Sequence, residues 1–123
     1  MLARNAHAFS FYDGYPVSPG HVLVVPRRHD LDLFELTKEE QQAVFELVAE
    51  MRDFILAEHR PDGVNVGINI GEAAGQTVGH AHVHLIPRYQ GDLPDPRGGV
   101  RWVIPEKADY WSMGGGGPSN SAG

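Results

Sequence analysis

Cysteine is absent from this chain. That excludes disulfides and every thiolate zinc site, and it makes a reducing compartment, most simply the cytoplasm, the expectation. No apolar run approaches the roughly 20 residues that a bilayer span requires. Residues 1–11 contain Arg4 but no apolar h-region, so a secretory leader is not expected. Positive charge is also scarce: 10 Lys and Arg against 16 Asp and Glu give a formal charge of −6. Nucleic acid demands a basic surface that neutralises phosphates, so general nucleic-acid binding is not expected. The deficit is local. Residues 38–58 hold six acids against two bases, which is −4 of the −6. The remainder is nearly balanced, with Arg27, Arg28 and Arg88 close to histidines, and remains compatible with a small anionic substrate.

Histidine is what the chain does have. Three of its seven fall in five residues, His80-Ala81-His82-Val83-His84, followed by Leu85-Ile86-Pro87-Arg88. In a β-strand, a period of two places all three imidazoles on one face, roughly 7 Å apart, with Ala81 and Val83 on the other. Pro87 would remove a ladder donor and end that strand. Such a row is either a metal site or a site that handles protons and phosphates, and the row alone leaves both open.

Around the row, the chain reads as alternating strands with one long helix. Residues 7–12 alternate as a strand with Phe9 and Phe11 on one side, and 21–26 form a β-branched run between Gly20 and Pro26. The loop between them, residues 13–20, contains two prolines and two glycines, so Asp13 and His21 stand at its two ends. Residues 30–36 suggest a short helical turn. Thr37-Lys38-Glu39-Glu40 is a capping box that opens a helix with the stripe Val44, Leu47, Val48, Met51 and Ile55, ending near His59-Arg60-Pro61-Asp62-Gly63. Its acidic face is expected to be solvated. Residues 64–70 alternate as a strand, 71–75 turn, and the histidine strand returns antiparallel, bringing Asn69, Gln76 and Thr77 toward one end of the row. Val100–Ile104 reads as a short strand or extended segment, and the Gly-rich run from Ser112 onward as disordered.

Gly75-Gln76-Thr77-Val78, then the three alternating histidines, then Leu85-Ile86-Pro87-Arg88, resembles the signature of the histidine triad (HIT) family. Pro19-Gly20-His21-Val22-Leu23-Val24-Val25-Pro26 resembles the upstream block carrying that family's fourth histidine. Phe11-Tyr12-Asp13 resembles the block carrying its ribose-binding acid or amide. The run Gly91-Asp92-Leu93-Pro94-Asp95-Pro96-Arg97-Gly98-Gly99-Val100-Arg101 is similar to bacterial members related to dinucleoside polyphosphate hydrolases. The resemblance spans most of residues 8–111. The transferase branch carries glutamine where this chain has His84 and is disfavoured. Members commonly carry an N-terminal, often Cys-rich, segment that helps close the base pocket, and the sequence is expected to start beyond it.

The resemblance implies an α+β fold: a five-stranded antiparallel sheet with one long and one short helix, in a single domain over residues 1–111 with a tail at 112–123. It also implies a homodimer with a continuous ten-stranded sheet. The activity implied is hydrolysis at the α-phosphate of dinucleoside polyphosphates such as diadenosine tetraphosphate. The alternatives are a purine nucleoside phosphoramidase of the same family, a metal-dependent enzyme built on the histidine strand, and a nucleotide-binding interaction protein. His82 would form a nucleotidyl-histidine intermediate, its second nitrogen held by the His80 carbonyl. His84 would donate to a non-bridging oxygen, and His21 would orient the imidazoles. Asp13 would accept from the ribose, Asn69, Gln76 and Thr77 would add donors around the phosphates, and Phe11 would wall the base. No metal is required at the protein site, although Mg²⁺ can accompany a polyphosphate chain. His29 and His59 are expected at the surface and His7 at the surface or the pocket rim, with Arg27, Arg28 and Arg88 at the surface. Arg97 and Arg101 are candidates for the border of the leaving-group site.

Overall fold

A computed structural model describes residues 1–112; the expected tail at 113–123 lies outside the described residues. The chain forms two compact units, divided after Tyr89. The first contains strands β1 (Ala3–Arg4), β2 (Ala8–Tyr12), β3 (Val22–Pro26), β4 (Gly63–Ile68) and β5 (Val83–Arg88), with helix α1 (Lys38–His59) between β3 and β4. The five strands form one sheet in the order β1-β2-β3-β5-β4, and every pairing is antiparallel. The expected fold class is therefore present, and β1, too short for any periodic signal, is the strand that pattern alone did not find.

The capping box forms as read. Thr37 Oγ1 accepts from the Glu40 N–H at 3.1 Å, and Glu40 Oε1 accepts from the Thr37 N–H at 2.9 Å. From there α1 lays Val44, Leu47, Met51 and Ile55 on Val22, Val24, Val83 and Leu85, all of them buried. Because strand side chains alternate, the helix covers one face of the sheet. Phe9, Phe11, His21, Leu23 and His84 fall on the other. The predicted short helical turn is a 3₁₀ turn at Leu33–Glu35, capped by Asp32. Among the described residues, no helix is long and apolar enough to cross a membrane.

Two expectations about the histidine strand are corrected. β5 begins at Val83, so His80, Ala81 and His82 precede it. On one side β4 ends at Ile68, opposite Val83; on the other β3 runs on to Pro26 but pairs with β5 no further than Val24 with Val83. The Ala81 N–H goes instead to the Asp30 carbonyl, at 2.7 Å. Pro87 does not end the strand either. In an antiparallel ladder a residue's N and C=O point to the same side. The Arg88 carbonyl accepts from Asp62, toward β4, so Pro87 points the opposite way, where β3 has already ended. There its carbonyl accepts from Ser18 Oγ at 2.6 Å, and the missing N–H breaks no ladder bond.

The second unit, from Gln90, contains a 3₁₀ segment at Gly99–Val103 and the short helix α2 (Pro105–Ala108). The strand or extended segment expected at 100–104 is thus a helical turn. Gly98 opens it at φ +94°, and Pro105 starts the next helix. Arg97 pairs with Asp95 at 2.9 Å and lies 4.5 Å over the Trp111 ring. Arg101 donates to the carbonyls of Lys107 and Ala108 and lies over Tyr110. Both guanidiniums are thus engaged inside this unit.

Leu47 is 1% exposed at the centre of the helix–sheet contact. Leu47→Ala is expected to cost about 2–5 kcal/mol, from lost transfer energy plus a residual cavity. Urea unfolding followed by far-ultraviolet dichroism checks this; a shift below about 1 kcal/mol would show that the site collapses or is not core.

Candidate functional site

The site is assembled on the sheet face away from α1. β3 and β5 bring His21 and His84 together. Leu23 pairs with His84, so the residue before Val22 reaches the neighbouring imidazole. His21 Nε2 lies 3.0 Å from His84 Nδ1 and 3.4 Å from Asp13 Oδ2. Asp13 sits at the other end of the 13–20 connection, closed by the Asp13 N–H donating to the His21 carbonyl at 2.9 Å. Its second oxygen accepts from the Tyr15 N–H at 2.8 Å. The expected meeting of Asp13 and His21 therefore occurs, with the carboxylate directed at the imidazole.

The hydrogen bonds determine where each proton sits. The Val17 backbone N–H donates to His21 Nδ1 at 3.0 Å. A backbone N–H can only donate, so His21 Nδ1 is bare and Nε2 carries the hydrogen. That hydrogen is given to His84 Nδ1, which leaves His84 with its N–H on Nε2. His82 Nδ1 lies 2.9 Å from the His80 carbonyl, which can only accept, so His82 has its hydrogen on Nδ1 and a bare Nε2. His80 Nε2 donates to the Pro26 carbonyl at 2.8 Å, tying the segment before β5 to the end of β3. The three rings thus present different faces: His84 a donor, His82 a lone pair, His80 a brace. The His82 and His84 ring centroids are 4.9 Å apart.

An open pocket of ≈ 320 Å³ adjoins His82, lined by Phe9, Phe11, Leu23, Val25, Val78, His80 and His82. Phe9 and Phe11 stack at 5.8 Å between centroids. The pocket is almost wholly apolar except for its two imidazoles, so it suits a flat, weakly polar ring system. A neighbouring pocket of ≈ 420 Å³ shares Val78 and is lined by Leu31, Asp32, Glu72, Gln76 and Thr77 among others.

The remaining candidates are placed less centrally. Gln76 braces its own loop: Oε1 accepts from the Gly71 N–H, and Nε2 donates to the carbonyls of Leu31 and Val78. Thr77 is exposed on the second pocket, and Asn69 is exposed just beyond β4. Arg88 donates to Asn65 at 2.9 Å. His29 is exposed and meets His80 edge-on, and His7 lies 3.6 Å from Glu39. His59 is only half-exposed and bonds to Tyr12, a departure from the surface position expected of it. Reading residue types along the chain missed the Val17 N–H and the Pro26 carbonyl, because backbone atoms leave no mark on residue identity.

Among the described residues, Asp13, His21 and His84 each offer one ligand atom within 4.8 Å of the others. Metal ligation by His21 Nε2 would need that atom bare, while Val17 already requires Nδ1 to be bare. Neutral imidazole cannot satisfy both.

A family model described as HIT domain matches residues 1–91. Bis(5'-adenosyl)-triphosphatase of Saccharomyces cerevisiae is 36% identical over 120 residues, covering 94% of this chain and 53% of the relative. An uncharacterized 16.1 kDa HIT-like protein of Mycoplasma pneumoniae is 38% identical over 92 residues, 75% of this chain and 64% of that one. Among solved structures, a HIT family protein from Bacillus anthracis is 44% identical at TM-score 0.68, covering 72% of this chain and 62% of that chain. The C. elegans NitFhit protein is 35% identical at TM-score 0.70, covering 74% of this chain and 22% of that one. The chain belongs to the HIT family. It spans 53% to 64% of the length of these two curated relatives.

Burial holds the His21 imidazole below its ordinary protonation range, against the opposing pull of Asp13. Burial does the same to His84, helped by His82 and His21 and opposed by Asp13. Both are therefore neutral in the folded state near pH 7. As pH falls below the unfolded value of 6.5, the unfolded chain binds protons first. The stability these two contribute is thus fully present above that value and is lost as pH falls through the lowered folded range. Urea midpoints should drop between pH 7.5 and pH 5, and the drop should be smaller in His84→Asn. An equal drop in both proteins would show that His84 does not carry its share.

Proposed function

We propose that this protein is a cytoplasmic nucleotidyl hydrolase that cleaves dinucleoside polyphosphates, such as diadenosine tetraphosphate, at the α-phosphate through a nucleotidyl-His82 intermediate. The observation that carries this reading is the pair of opposite tautomers. A bare His82 Nε2 lies at the rim of an apolar pocket, beside a His84 Nε2 that holds a hydrogen. A nucleophile and an oxyanion donor are what phosphoryl transfer needs side by side. The family relationship, including a relative named for bis(5'-adenosyl)-triphosphate cleavage, supports the same class of substrate.

In this reading the base occupies the pocket against Phe9 and Phe11, and the sugar lies toward Asp13. The His82 Nε2 lone pair attacks the α-phosphorus in line while the bond to the bridging oxygen breaks. That oxygen leaves with the electron pair as a nucleotide product. Forming the N–P bond makes the ring cationic, and the positive charge rests on Nδ1–H, which the His80 carbonyl accepts. His84 Nε2–H stabilises charge on a non-bridging oxygen. Water then attacks phosphorus as the N–P bond breaks, the bonding pair returns to His82 Nε2, and the water's proton passes to solvent. Gln76 serves indirectly, holding the loop that carries Thr77 and Val78. Asn69 and Thr77 flank the polyphosphate. Phosphoramidate cleavage would use the same steps with an amine leaving. The scheme uses no metal at the imidazoles: Val17 keeps His21 in the wrong tautomer for a ligand, and phosphorus takes the bare His82 Nε2; Mg²⁺ accompanies only the polyphosphate.

Rapid quench with labelled diadenosine tetraphosphate, with adenosine phosphoramidate compared alongside, tests this on chelator-treated protein. A nucleotidyl adduct should map to His82, and His82→Asn should abolish it and reduce turnover on the order of a thousandfold or more. His84→Ala should lower kcat by about 10²–10³, as loss of one oxyanion donor does. Full turnover by His82→Asn, or activity that returns only with added transition metal, sinks the mechanism.

A second copy completes the assembly in this proposal. β4 is a six-residue strand at the edge of the sheet, and its Val66 is 45% exposed. Pairing β4 with its symmetry mate would give a continuous ten-stranded sheet and satisfy the edge. Sedimentation equilibrium should show a dimer that Val66→Lys weakens by about tenfold or more; a wild-type monomer at high micromolar concentration rejects it.

A further inference from the structure

We propose that His59, the last residue of α1, is a positioning residue that sets the His21–His84 hydrogen bond. It does so by clasping both ends of the 13–20 connection. This deepens the hydrolase reading and rests on it for its catalytic consequence.

The contacts are specific. His59 Nε2 lies 2.9 Å from the Tyr12 hydroxyl, and the two rings meet edge-on at 5.7 Å. Phe54, one turn back on the same helix, meets both Tyr12 and His59. Tyr12 is the last residue of β2, immediately before Asp13. On the other end, the His59 ring lies directly against Gly20, immediately before His21. A Cβ at Gly20 would stand 2.8 Å from both Cγ and Cδ2 of that ring. Gly20 also has φ +90°, which side chains rarely adopt. One ring therefore touches the residue before each end of the Asp13–His21 pair.

What it positions is sensitive to small shifts. His21 is 2% exposed, and its ring is fixed by Val17 on one nitrogen and by His84 and Asp13 on the other. The later part of the connection is also held, by Ser18 Oγ on the Pro87 carbonyl and by Tyr89 Oη on the Pro19 carbonyl, each at 2.6 Å. At the ends themselves, Tyr12 bonds to His59 and meets Phe54, and Gly20 lies against the His59 ring, so His59 is the side chain that reaches both. Helix α1 gives that anchor rigidity, because Ile55, one turn earlier, is wholly buried in the core. If the His59 ring is removed, Gly20 gains room and His21, the next residue, can shift against His84. His84 then loses the donor that keeps its own hydrogen on Nε2. A site works when such geometry is held to within about 0.5 Å.

Imidazole ¹⁵N–¹H correlation spectra of the free protein read the tautomers directly, without substrate. Wild type should show hydrogen on Nε2 of both His21 and His84. His59→Ala should show mixed tautomers at His84 and lose about tenfold in kcat, as a modest misplacement does, with KM changed less than twofold. His59→Phe restores a ring against Gly20 and should recover most of both. Tyr12→Phe, which removes only the hydrogen bond, should fall between. Wild-type tautomers and kcat in His59→Ala overturn the proposal, as does a kcat loss that tracks only the folded fraction while the His84 tautomer stays fixed. If wild type forms no nucleotidyl adduct, the hydrolase reading fails, and the spectra still decide whether His59 positions the pair.

Discussion

A single backbone N–H, that of Val17, decides the proton arrangement of the His21–His84 pair. By donating to His21 Nδ1 it leaves only one neutral tautomer for that ring, and His84 inherits its own through the 3.0 Å contact. Neither carboxylate nor metal is needed to enforce this. A backbone donor does not titrate, so the arrangement persists wherever the imidazoles stay neutral. Asp13 stands 3.4 Å away and favours the charged form of His21, but burial opposes it and is the larger influence. Burial thus works in the same direction as the hydrogen bonds, toward neutral rings with assigned hydrogens.

The sheet is built so that this cluster has somewhere to form. β4 ends at Ile68, and β3 pairs with β5 no further than Val24 although it runs on to Pro26, so residues 80–82 make no ladder pairs. In a regular strand the His80 carbonyl would be directed at a neighbouring N–H. Here it is available to His82 Nδ1 of the same segment, and the His80 ring takes the Pro26 carbonyl. The interruption of the strand is therefore what makes the bare His82 nitrogen possible. Downstream the reverse holds: Pro87 sits inside β5 without breaking it because its nitrogen faces the side β3 has vacated. Pro26 and Pro87 lie beyond the two ends of the β3–β5 pairing, and each carbonyl accepts from a side chain, His80 Nε2 and Ser18 Oγ.

Much of this was legible in residue types. Thr37 with Glu40 and the Val44, Leu47, Met51, Ile55 stripe defined α1, since capping and a 3.6-residue period are local properties. The β4–β5 pairing was legible from alternation around a glycine-rich turn. Alternation at His80–His84 was legible too, but it overstated the strand, because a period of two says nothing about whether neighbours exist to pair with. Val100–Ile104 misled in the same way. Its β-branched residues favour a strand, while Gly98 before it and Pro105 after it impose helical turns. At the site, the meeting of Asp13 with His21 could be anticipated from their places at the ends of one loop. The part played by Val17 and Pro26 could not, since Val17 contributes a main-chain N–H that any residue but proline could supply and Pro26 a carbonyl that any residue could. Gln76 shows the converse. Its identity suggests a phosphate donor, yet its amide is saturated by three backbone groups of its own loop and of Leu31.

The proposed activity requires a chain with a charge of −6 to hold a polyphosphate. Most of that excess is on α1, on the far side of the sheet from the imidazoles, and water and salt screen it over roughly 8–10 Å. At the imidazoles themselves the lowered protonation ranges of His21 and His84 mean that binding does not depend on a standing positive charge. Recognition would then rest on apolar burial of the base against Phe9 and Phe11 and on a directed N–H from His84. Positive charge would develop only as His82 bonds to phosphorus, at the moment when the His80 carbonyl can stabilise it. A donor present throughout and a cation present only in the reacting complex favour the transition state over the bound substrate, which is the condition for raising kcat rather than merely tightening binding.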